Sequence, residues 1–305
     1  MLIGVDWGGT KIETIALSAA GEQRARLREA TLRGDYEGCV RMIAGQVARI
    51  EAETGERGSV GVGIPGSIAP ESGRAKGANS TWLIGRPVQR DLEAELGRSV
   101  RVENDANCLA LSEATDGAGV GYQVVFAVIL GTGSGAGITI DGRVHTGPNT
   151  AAGEWAHNPL PTPAINEIPG PACYCGKHGC LESFISGTGF ENDYARHATA
   201  PAEGREIMAR VRAGDWLAGI VWRRYVERLA RGLALVVNIL DPDIFVLGGG
   251  MSDIEGLGES VAAELPRHVF SNGFRTPIRR AKHGASSGVR GAAWLWRKEG
   301  PGAGR

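Results

Sequence analysis

Three short apolar segments each run into a glycine-rich turn, and this repeated pattern constrains the fold of the chain more than any other feature. The segments and their turns are 3–6 with Gly8-Gly9, 124–130 with Gly131–Gly137, and 244–247 with Gly248–Gly250. Because glycine has no Cβ, such turns bring backbone N–H groups close to an anion and form phosphate-binding nests. One such turn is explained by chain reversal alone, whereas three turns after three predicted strands favour phosphate binding.

The first turn also carries side chains suited to a nucleotide, and two other nucleotide-binding patterns are excluded. The carboxylate of Asp6 suits a hydrated Mg²⁺, and the hydroxyl of Thr10 suits a phosphate oxygen. The Gly-Lys pair at 176–177 is not followed by Ser or Thr, which excludes a P-loop. A G-x-G-x-x-G spacing occurs at 61–66, but Pro65 and a turn-rich stretch follow instead of a helix, which argues against a dinucleotide site.

The apolar pattern indicates a mixed α/β chain with two related halves. Strand signals at 3–6, 12–17 and 23–27 predict a β-meander, and helical spacing predicts helices at 36–53 and 216–240. A strand, a glycine turn and a second strand occur both at the start of the chain and around residue 131, which suggests two halves that face one cleft.

The length of 305 residues fits about two domains. A first domain is expected at 1–116, which ends at Asp116-Gly117, and a larger second domain at 117–288. Four arginines of the long predicted helix are interpreted as an ordinary solvated face: Arg223, Arg224, Arg228 and Arg231.

Three of the five cysteines crowd into the polar segment 149–180. Cys173, Cys175 and Cys180, with His157 upstream, supply the ligands of a tetrahedral zinc site. Four protein ligands leave no open position for water, so this zinc would be structural. The alternative is a chance cluster of reduced thiols. The two remaining cysteines, at positions 39 and 108, are expected to be isolated buried thiols, and His178 an exposed loop residue.

Polar side chains at two further places suit a hydroxyl-rich substrate. Asn104 and Asp105 come at a strand-to-helix turn, where helix capping is the simpler explanation. Glu154 and Glu182 flank the proposed zinc loop and, with His157, would bring several hydrogen-bonding groups to one rim. Plain surface carboxylates are the alternative for both glutamates.

Charge and hydropathy narrow the class of partner. The formal net charge of −1 lacks the cationic field that nucleic acid requires. The longest wholly apolar run, 124–130, is far shorter than the ~20 residues that span a bilayer, and no leader peptide is recognised. We therefore expect a cytoplasmic protein that binds neither nucleic acid nor membrane.

Taken together, these residues resemble the ROK family of sugar kinases along nearly the whole chain. The motifs that carry the resemblance are Asp6-Trp-Gly-Gly-Thr-Lys11, Glu103-Asn-Asp-Ala-Asn107, Gly131-Thr-Gly133, Gly153-Glu-Trp-Ala-His157, Cys173 to Glu182 and Leu247-Gly-Gly-Gly250. The resemblance implies an α/β, two-domain actin and hexokinase-like (ribonuclease H-like) fold with an interdomain cleft. It also implies that a C-terminal helix at 289–297 packs back on the first domain.

The implied activity is transfer of the γ-phosphoryl group of ATP to the 6-hydroxyl of a hexose. Several local motifs, among them Cys173-Tyr-Cys175 and Gly66-Ser67-Ile68, look most like the fructokinases of the family, so fructose is expected, with mannose as a lesser substrate. The alternatives are a kinase for N-acetylglucosamine, N-acetylmannosamine or glucose and, as a different class, a sugar-responsive repressor. A repressor would need a helix-turn-helix, for which no room precedes Ile3.

The resemblance also assigns roles to individual residues. It makes Asp105 the general base and gives His157 two duties, one ring nitrogen on zinc and the other on the sugar. The implied sugar contacts are Asn79, Asn104, Asp105, Glu154, His157 and Glu182. The implied contacts to ATP and Mg²⁺ are Asp6, Gly8, Gly9, Thr10, Lys11, Gly131, Thr132, Gly133, Gly248, Gly249 and Gly250. Ala156 departs from the usual glycine beside the histidine, and a homodimer is expected.

Overall fold

The computed structural model describes residues 1–77, 80–271 and 273–297. The strands are β1 (Leu2–Trp7), β2 (Lys11–Leu17), β3 (Gln23–Ala30), β4 (Ser59–Ile64), β5 (Ser67–Ile68), β6 (Ala75–Lys76), β7 (Val100–Asn104), β8 (Val124–Leu130), β9 (Ser134–Ile140), β10 (Arg143–Val144), β11 (Ile244–Gly248) and β12 (Ile278–Arg280). The helices are α1 (Tyr36–Thr54), α2 (Val88–Leu96), α3 (Asp105–Asp116), α4 (Glu182–Ile185), α5 (Gly187–Ala195), α6 (Gly204–Arg212), α7 (Trp216–Leu240), α8 (Leu257–Glu264) and α9 (Ser287–Trp294).

The strands form two five-stranded sheets with the same plan, together with the small pair β5–β6. The orders are β3-β2-β1-β4-β7 and β10-β9-β8-β11-β12. In the first sheet β1 pairs antiparallel with β2 and parallel with β4. In the second sheet β8 pairs antiparallel with β9 and parallel with β11. The repeated strand–turn–strand unit read from the sequence is thus the centre of each sheet.

Local sequence accounts for the helix ends. The Asp35 carboxylate accepts a hydrogen bond from Gly38 N at 2.8 Å at the start of α1, and Gly55 ends that helix in the left-handed conformation. Helix α7 starts after Asp215, whose carboxylate accepts from Ala218 N at 2.7 Å. The predicted helices at 36–53 and 216–240 are confirmed.

Helices α3 and α9 lie against the two sheets and against each other. Helix α9 packs on the first sheet, where Val289, Ala293 and Trp294 share a buried cluster with Ile15 and Leu17. A Cβ on Gly291 would lie 1.7 Å from the carbonyl oxygen of Cys108, so only glycine permits this approach of the two helices. A Cβ on Gly137 would likewise lie 2.2 Å from Ala106 O, which sets α3 directly on β9.

The buried carboxylate of Glu113 joins the two places where the chain crosses between the sheets. It accepts hydrogen bonds from Ala118 N at 2.8 Å, Lys282 N at 3.0 Å and Ser287 Oγ at 2.8 Å. The first crossing follows the end of α3 at Asp116, where the sequence places the domain boundary, and the second precedes α9. Both crossings are therefore fixed to one side chain.

The interpretation of the α7 arginines as a solvated face is wrong for Arg228 and Arg231, and Arg224 is also partly covered and paired with Asp193. Arg228 and Arg231 are only 5% and 6% exposed. Arg228 Nε donates to Glu167 Oε1 at 2.8 Å and Arg228 Nη1 to Asp193 Oδ2 at 2.8 Å, while Arg231 Nη2 donates to Glu167 Oε2 at 3.0 Å. The segment that carries Glu167 folds over the helix and covers this face, which helical periodicity alone does not reveal. Arg223 is exposed, as expected.

Candidate active site

A cavity of about 240 Å³ lies between the two sheets, at the ends of β7 and β8. Its described lining residues are Pro65, Gly66, Gly77, Asn104, Asp105, Ala106, Ile129, Gly131, Thr132, Gly133, Ser134, Gly135, Ala136, Gly153, Glu154, His157, Tyr174 and Glu182. The strand ends, the glycine turn after β8 and the predicted zinc loop therefore meet at one place. Of the implied sugar contacts, Asn104, Asp105, Glu154, His157 and Glu182 are brought together here.

Asn104 both caps α3 and lines the cavity. Its Oδ1 accepts hydrogen bonds from Ala106 N at 2.9 Å and Asn107 N at 3.2 Å, and its Nδ2 donates to Gly66 O at 2.9 Å. The capping explanation is therefore confirmed. The cap also orients the start of α3 so that the next residue, Asp105, lies at the cavity.

Asp105 carries the carboxyl group at the foot of the cavity. Burial, followed by the nearby negative charges of Asp6 and Glu154, raises the pKa of Asp105 to about 7, against hydrogen bonds from backbone N–H groups. A carboxyl with a pKa close to neutrality can accept a proton from a substrate hydroxyl and release it later.

Asp6 stands at the end of β1, close enough to Asp105 to affect its pKa. Burial raises the pKa of Asp6 to about 6, although Lys11 opposes this shift. A carboxylate removed from water and incompletely balanced by positive charge is suited to a divalent cation, because the cation would restore its ionised form.

The first glycine turn follows Asp6 and is closed by hydrogen bonds of its own. Gly8 N donates to Lys11 O at 3.0 Å and closes the turn, and Arg33 Nε donates to Gly9 O at 3.0 Å. Lys11 Nζ is paired with Glu13 Oε2 at 3.0 Å, so this lysine is engaged within its own sheet. Gly8, Gly9, Thr10 and Lys11 are outside the described lining of the cavity, and their contact to ATP stays a prediction.

The second and third glycine turns lie next to each other. Gly131 N donates to Gly133 O at 3.0 Å within the second turn, and Gly187 N at the start of α5 donates to Gly131 O at 2.7 Å. Gly249 has φ +82°, and a Cβ there would lie 2.5 Å from Leu130 O. The third turn thus packs on the end of β8 and contacts the strand that leads into the second turn. Gly131, Thr132 and Gly133 line the cavity, whereas Gly248, Gly249 and Gly250 are outside its described lining, and their contact to ATP stays a prediction.

The predicted zinc ligands come together in the structure. One ligand atom from each of His157, Cys173, Cys175 and Cys180 lies within 4.8 Å of every other. The Cys175 and Cys180 sulfurs are 3.5 Å apart, and Cys173 Sγ is 3.6 Å from His157 Nδ1. Zinc–sulfur bonds of about 2.3 Å in a tetrahedron place two sulfurs roughly 3.8 Å apart, so this donor set fits a closed zinc site. Cys39 and Cys108 are buried apart from the cluster, as expected.

The other nitrogen of His157 faces the cavity. His157 Nε2 lies 3.0 Å from the hydroxyl of Tyr174 and 4.0 Å from Glu154 Oε2. Glu182 connects the same loop to the second glycine turn, because its Oε2 accepts from Ser134 N at 2.9 Å. Sequence reasoning missed Tyr174 as a cavity residue. The available signal is its position between Cys173 and Cys175. Because these two side chains point into the metal-ligand cluster, the side chain between them points away from it.

The zinc loop is also fixed at its far side. Arg231 Nη1 donates to Thr162 O at 2.8 Å, and Ala164 N donates to Glu167 Oε2 at 2.9 Å. Although burial opposes it, hydrogen bonds from Ala164 N, Arg228 and Arg231 hold the pKa of Glu167 below its usual range. The loop is thus held by the metal-ligand cluster next to the cavity and by a buried ion network on α7.

Asn79, the remaining implied sugar contact, lies outside the described residues. Within 1–77, 80–271 and 273–297, no helix has the length and hydropathy needed to cross a membrane.

Similarity to known proteins extends over nearly the whole chain. The sequence profile of the ROK family matches residues 2–299. An N-acetyl-D-glucosamine kinase of Escherichia coli O1:K1 / APEC is 38% identical over 299 residues, which cover 97% of this chain and 99% of the relative.

Solved structures agree with this assignment. A ROK hexokinase from Thermus thermophilus superposes with a TM-score of 0.85 at 32% identity and covers 96% of each chain. A ROK family glucokinase from Streptomyces griseus in complex with glucose and AMPPNP gives a TM-score of 0.82 at 29% identity, over 98% of this chain and 99% of the other. The expected two-domain actin and hexokinase-like fold is confirmed.

Proposed function

The chain belongs to the ROK family, and on this premise we propose that it transfers the γ-phosphoryl group of ATP to the 6-hydroxyl of N-acetylglucosamine. That it is a sugar kinase follows from the family and from its relatives. The observation that carries the choice of sugar is the 38% identity with N-acetyl-D-glucosamine kinases along almost the full length. This replaces fructose, which the sequence analysis favoured from short motifs in turns and in the zinc loop.

Asp105 is the general base of the proposed reaction. Its carboxylate accepts the proton of the sugar 6-hydroxyl while the oxygen forms a bond to the γ-phosphorus. The bond between the γ-phosphorus and the oxygen bridging to the β-phosphate breaks, and ADP leaves with that electron pair. The turn Gly131–Gly133 lines the cavity and offers backbone N–H groups to the phosphates. Asp6 would hold the Mg²⁺ that accompanies ATP, and this ion would neutralise phosphate charge.

The rim of the cavity holds the sugar in this proposal. Asn104, Glu154, His157 and Glu182 supply acceptors and donors to the sugar hydroxyls. Zinc bound by His157, Cys173, Cys175 and Cys180 would keep the loop in place and direct the second nitrogen of His157 to the sugar.

A smaller side cavity of about 170 Å³ supports the amino-sugar assignment. It shares Asn104, Ala136 and Glu154 with the main cavity, so a substituent on the sugar edge next to Asn104 and Glu154 can enter it. Its further lining residues are Ser67, Ile68, Val102, Glu103, Asn107, Thr146, Thr150 and Ala152. Apolar side chains suit the methyl group of an acetamido substituent, and the hydroxyl and amide groups suit its polar atoms.

A coupled assay over a sugar panel tests the proposal. With N-acetylglucosamine, N-acetylmannosamine, glucose, fructose and mannose, we expect the highest kcat/KM for N-acetylglucosamine. A kcat/KM for fructose above that for N-acetylglucosamine would restore the first expectation and refute the proposal. The variant Ala152→Leu fills the side cavity, so it should raise the KM for N-acetylglucosamine and leave the KM for glucose within about twofold. Equal effects on both sugars would place the acetamido group elsewhere.

We also propose a cytoplasmic location, where ATP is available, and a homodimer, as the family resemblance implies. Light scattering coupled to size-exclusion chromatography measures the mass in solution. A mass near 32.0 kDa, that of one chain, would contradict the dimer.

A further inference from the structure

Tyr174 forms a contact at the sugar rim that the proposed chemistry does not use. Its hydroxyl lies 3.0 Å from His157 Nε2, and its ring meets the imidazole edge-to-face, with centroids 5.1 Å apart and planes at 83°. The backbone around it is fixed, because Cys173 N donates to Lys177 O at 2.8 Å and Gly176 N donates to Cys173 O at 3.0 Å. The tyrosine is therefore held at a defined place on the cavity wall.

Metal binding would make the histidine the donor in this contact. His157 Nδ1 points to the metal-ligand cluster, 3.6 Å from Cys173 Sγ. A metal ion on Nδ1 requires that nitrogen to be unprotonated, which leaves the ring proton on Nε2. In the metal-bound protein His157 Nε2–H would then donate to the phenol oxygen of Tyr174, and the histidine donor that faces the cavity would be occupied.

A sugar hydroxyl that accepts from His157 needs the same N–H. Tyr174 and the sugar therefore compete for one donor, and the sugar binds only to the fraction of molecules in which the phenol has moved away. The phenol has room to move, because the tyrosine is 63% exposed and also lines the cavity, so the main cost of its movement is the lost hydrogen bond to His157.

We propose that Tyr174 is a positioning residue that closes on His157 in the empty site and is displaced when the hexose binds. This inference rests on the proposed function, since it requires a hexose in the cavity. The contact keeps the imidazole in the orientation and tautomer that the sugar needs, and it lowers the apparent affinity for sugar by the fraction of closed molecules. Tyr174 thereby tunes the KM for the sugar without taking part in phosphoryl transfer.

The test compares Tyr174→Phe with the wild type. The substitution removes the competing oxygen and keeps the ring. The dissociation constant of the best sugar of the panel, measured by calorimetry without nucleotide, should fall about threefold to tenfold, which is the range expected for one net hydrogen bond. The KM for that sugar should fall in parallel, while kcat and the KM for ATP stay within about twofold. Tyr122→Phe, remote from the cavity and next to Arg279, is the matched control and should change none of these values.

An unchanged or larger dissociation constant in Tyr174→Phe overturns the proposal, and a larger one would make the phenol a direct sugar ligand. The displacement of Tyr174 is also measured independently of activity. Sugar added to the wild type should produce an ultraviolet difference signal of tyrosine that is lost in Tyr174→Phe, and no signal in the wild type refutes the movement. If no hexose of the panel binds at all, the proposed function fails instead.

Discussion

The two sheets of this protein share one plan but carry different chemistry. Each has a central strand followed by a glycine turn, an antiparallel partner and two parallel strands in the same order. Asp6 lies two residues before the first turn, whereas Ile129 is the residue at the equivalent position before the second turn. The far parallel strand of the first sheet, β7, leads into Asp105, while β12 of the second sheet leads into Ala281.

This difference shows that the repeated strand–turn–strand unit sets the backbone geometry of both halves, whereas each half carries its own set of reactive groups. The first half contributes both carboxyl groups with strongly raised pKa values, Asp6 and Asp105. The second half contributes the backbone of Gly131–Gly133 and the zinc loop, which follows β10 and has no counterpart after β3. Reaction chemistry is therefore expected to depend on the first half and sugar affinity on the second.

The variant Asp105→Asn should have the largest effect, because it removes the base that the first half of the chain contributes. Without the base, kcat should fall by ~10²- to 10⁴-fold, while the dissociation constant of the sugar changes little. Steady-state kinetics and calorimetry measure the two values. Asp141→Asn, an exposed acid of the second half, is the control and should keep wild-type turnover. Near wild-type turnover of Asp105→Asn would remove this residue from the mechanism.

The buried ion network belongs to the second half, and its loss should appear in stability. Arg231→Met removes one of the two arginines that pair with the buried carboxylate of Glu167 and leaves the loop carbonyl at Thr162 without its charged donor. Breaking a buried charge pair from one side costs about 3 kcal/mol or more in the free energy of unfolding, as measured by denaturant titration. Arg223→Met, on the exposed side of the same helix, should cost less than ~0.5 kcal/mol. Equal costs for the two variants would contradict a structural role of the network.

Removal of the metal should act on the sugar and spare the phosphoryl chemistry. Chelation frees the loop that carries His157, so the KM for the sugar should rise about tenfold, the value of roughly one lost hydrogen bond, with a smaller change in kcat. Elemental analysis before and after chelation gives the metal content. Finding no zinc in purified, active protein would defeat this prediction.

The smallest effect expected is a shift in the pH dependence. Asp105 must be ionised to accept a proton, and its pKa is raised to about 7, so kcat/KM should rise about tenfold per pH unit below that value and level off above it. Part of the shift comes from the negative charge of Asp6. The residual activity of Asp6→Asn should therefore rise at lower pH than that of the wild type. A limb that stays at the wild-type pH would show that the two carboxyl groups are not coupled.

Local signals in the sequence predict much of the fold. Strand β8 and helix α7 have the bounds read from the apolar pattern, because a glycine turn follows the strand and Asp215 caps the helix. Helix α3 begins at Asp105, at the strand-to-helix turn that the sequence indicates, because Asn104 caps it. The sequence also predicts the glycine turns, the cysteine cluster and the strand end before Asp105, because each of these features is contiguous in sequence.

Contacts between distant segments were not predictable in this way. The burial of Arg228 and Arg231 depends on a loop some sixty residues earlier, and charge on a helix face does not reveal what covers it. The position of Tyr174 against His157 depends on how the zinc loop closes. The pairing of Lys11 with Glu13 uses a neighbour on the same strand, which competes with the phosphate contact expected for this lysine.

The packing of α9 on the first sheet has a consequence for synthesis on the ribosome. Val289, Ala293 and Trp294 complete the apolar cluster around Ile15 and Leu17, and Trp296 Nε1 donates to Val60 O at 2.6 Å. The nascent chain thus makes nearly all of its second half before the first half can bury this cluster, although its other core, formed within residues 3–100, does not depend on α9. The N-terminal half therefore cannot complete its folding during synthesis before α9 has been made. Until then the apolar surface that α9 covers stays exposed to solvent.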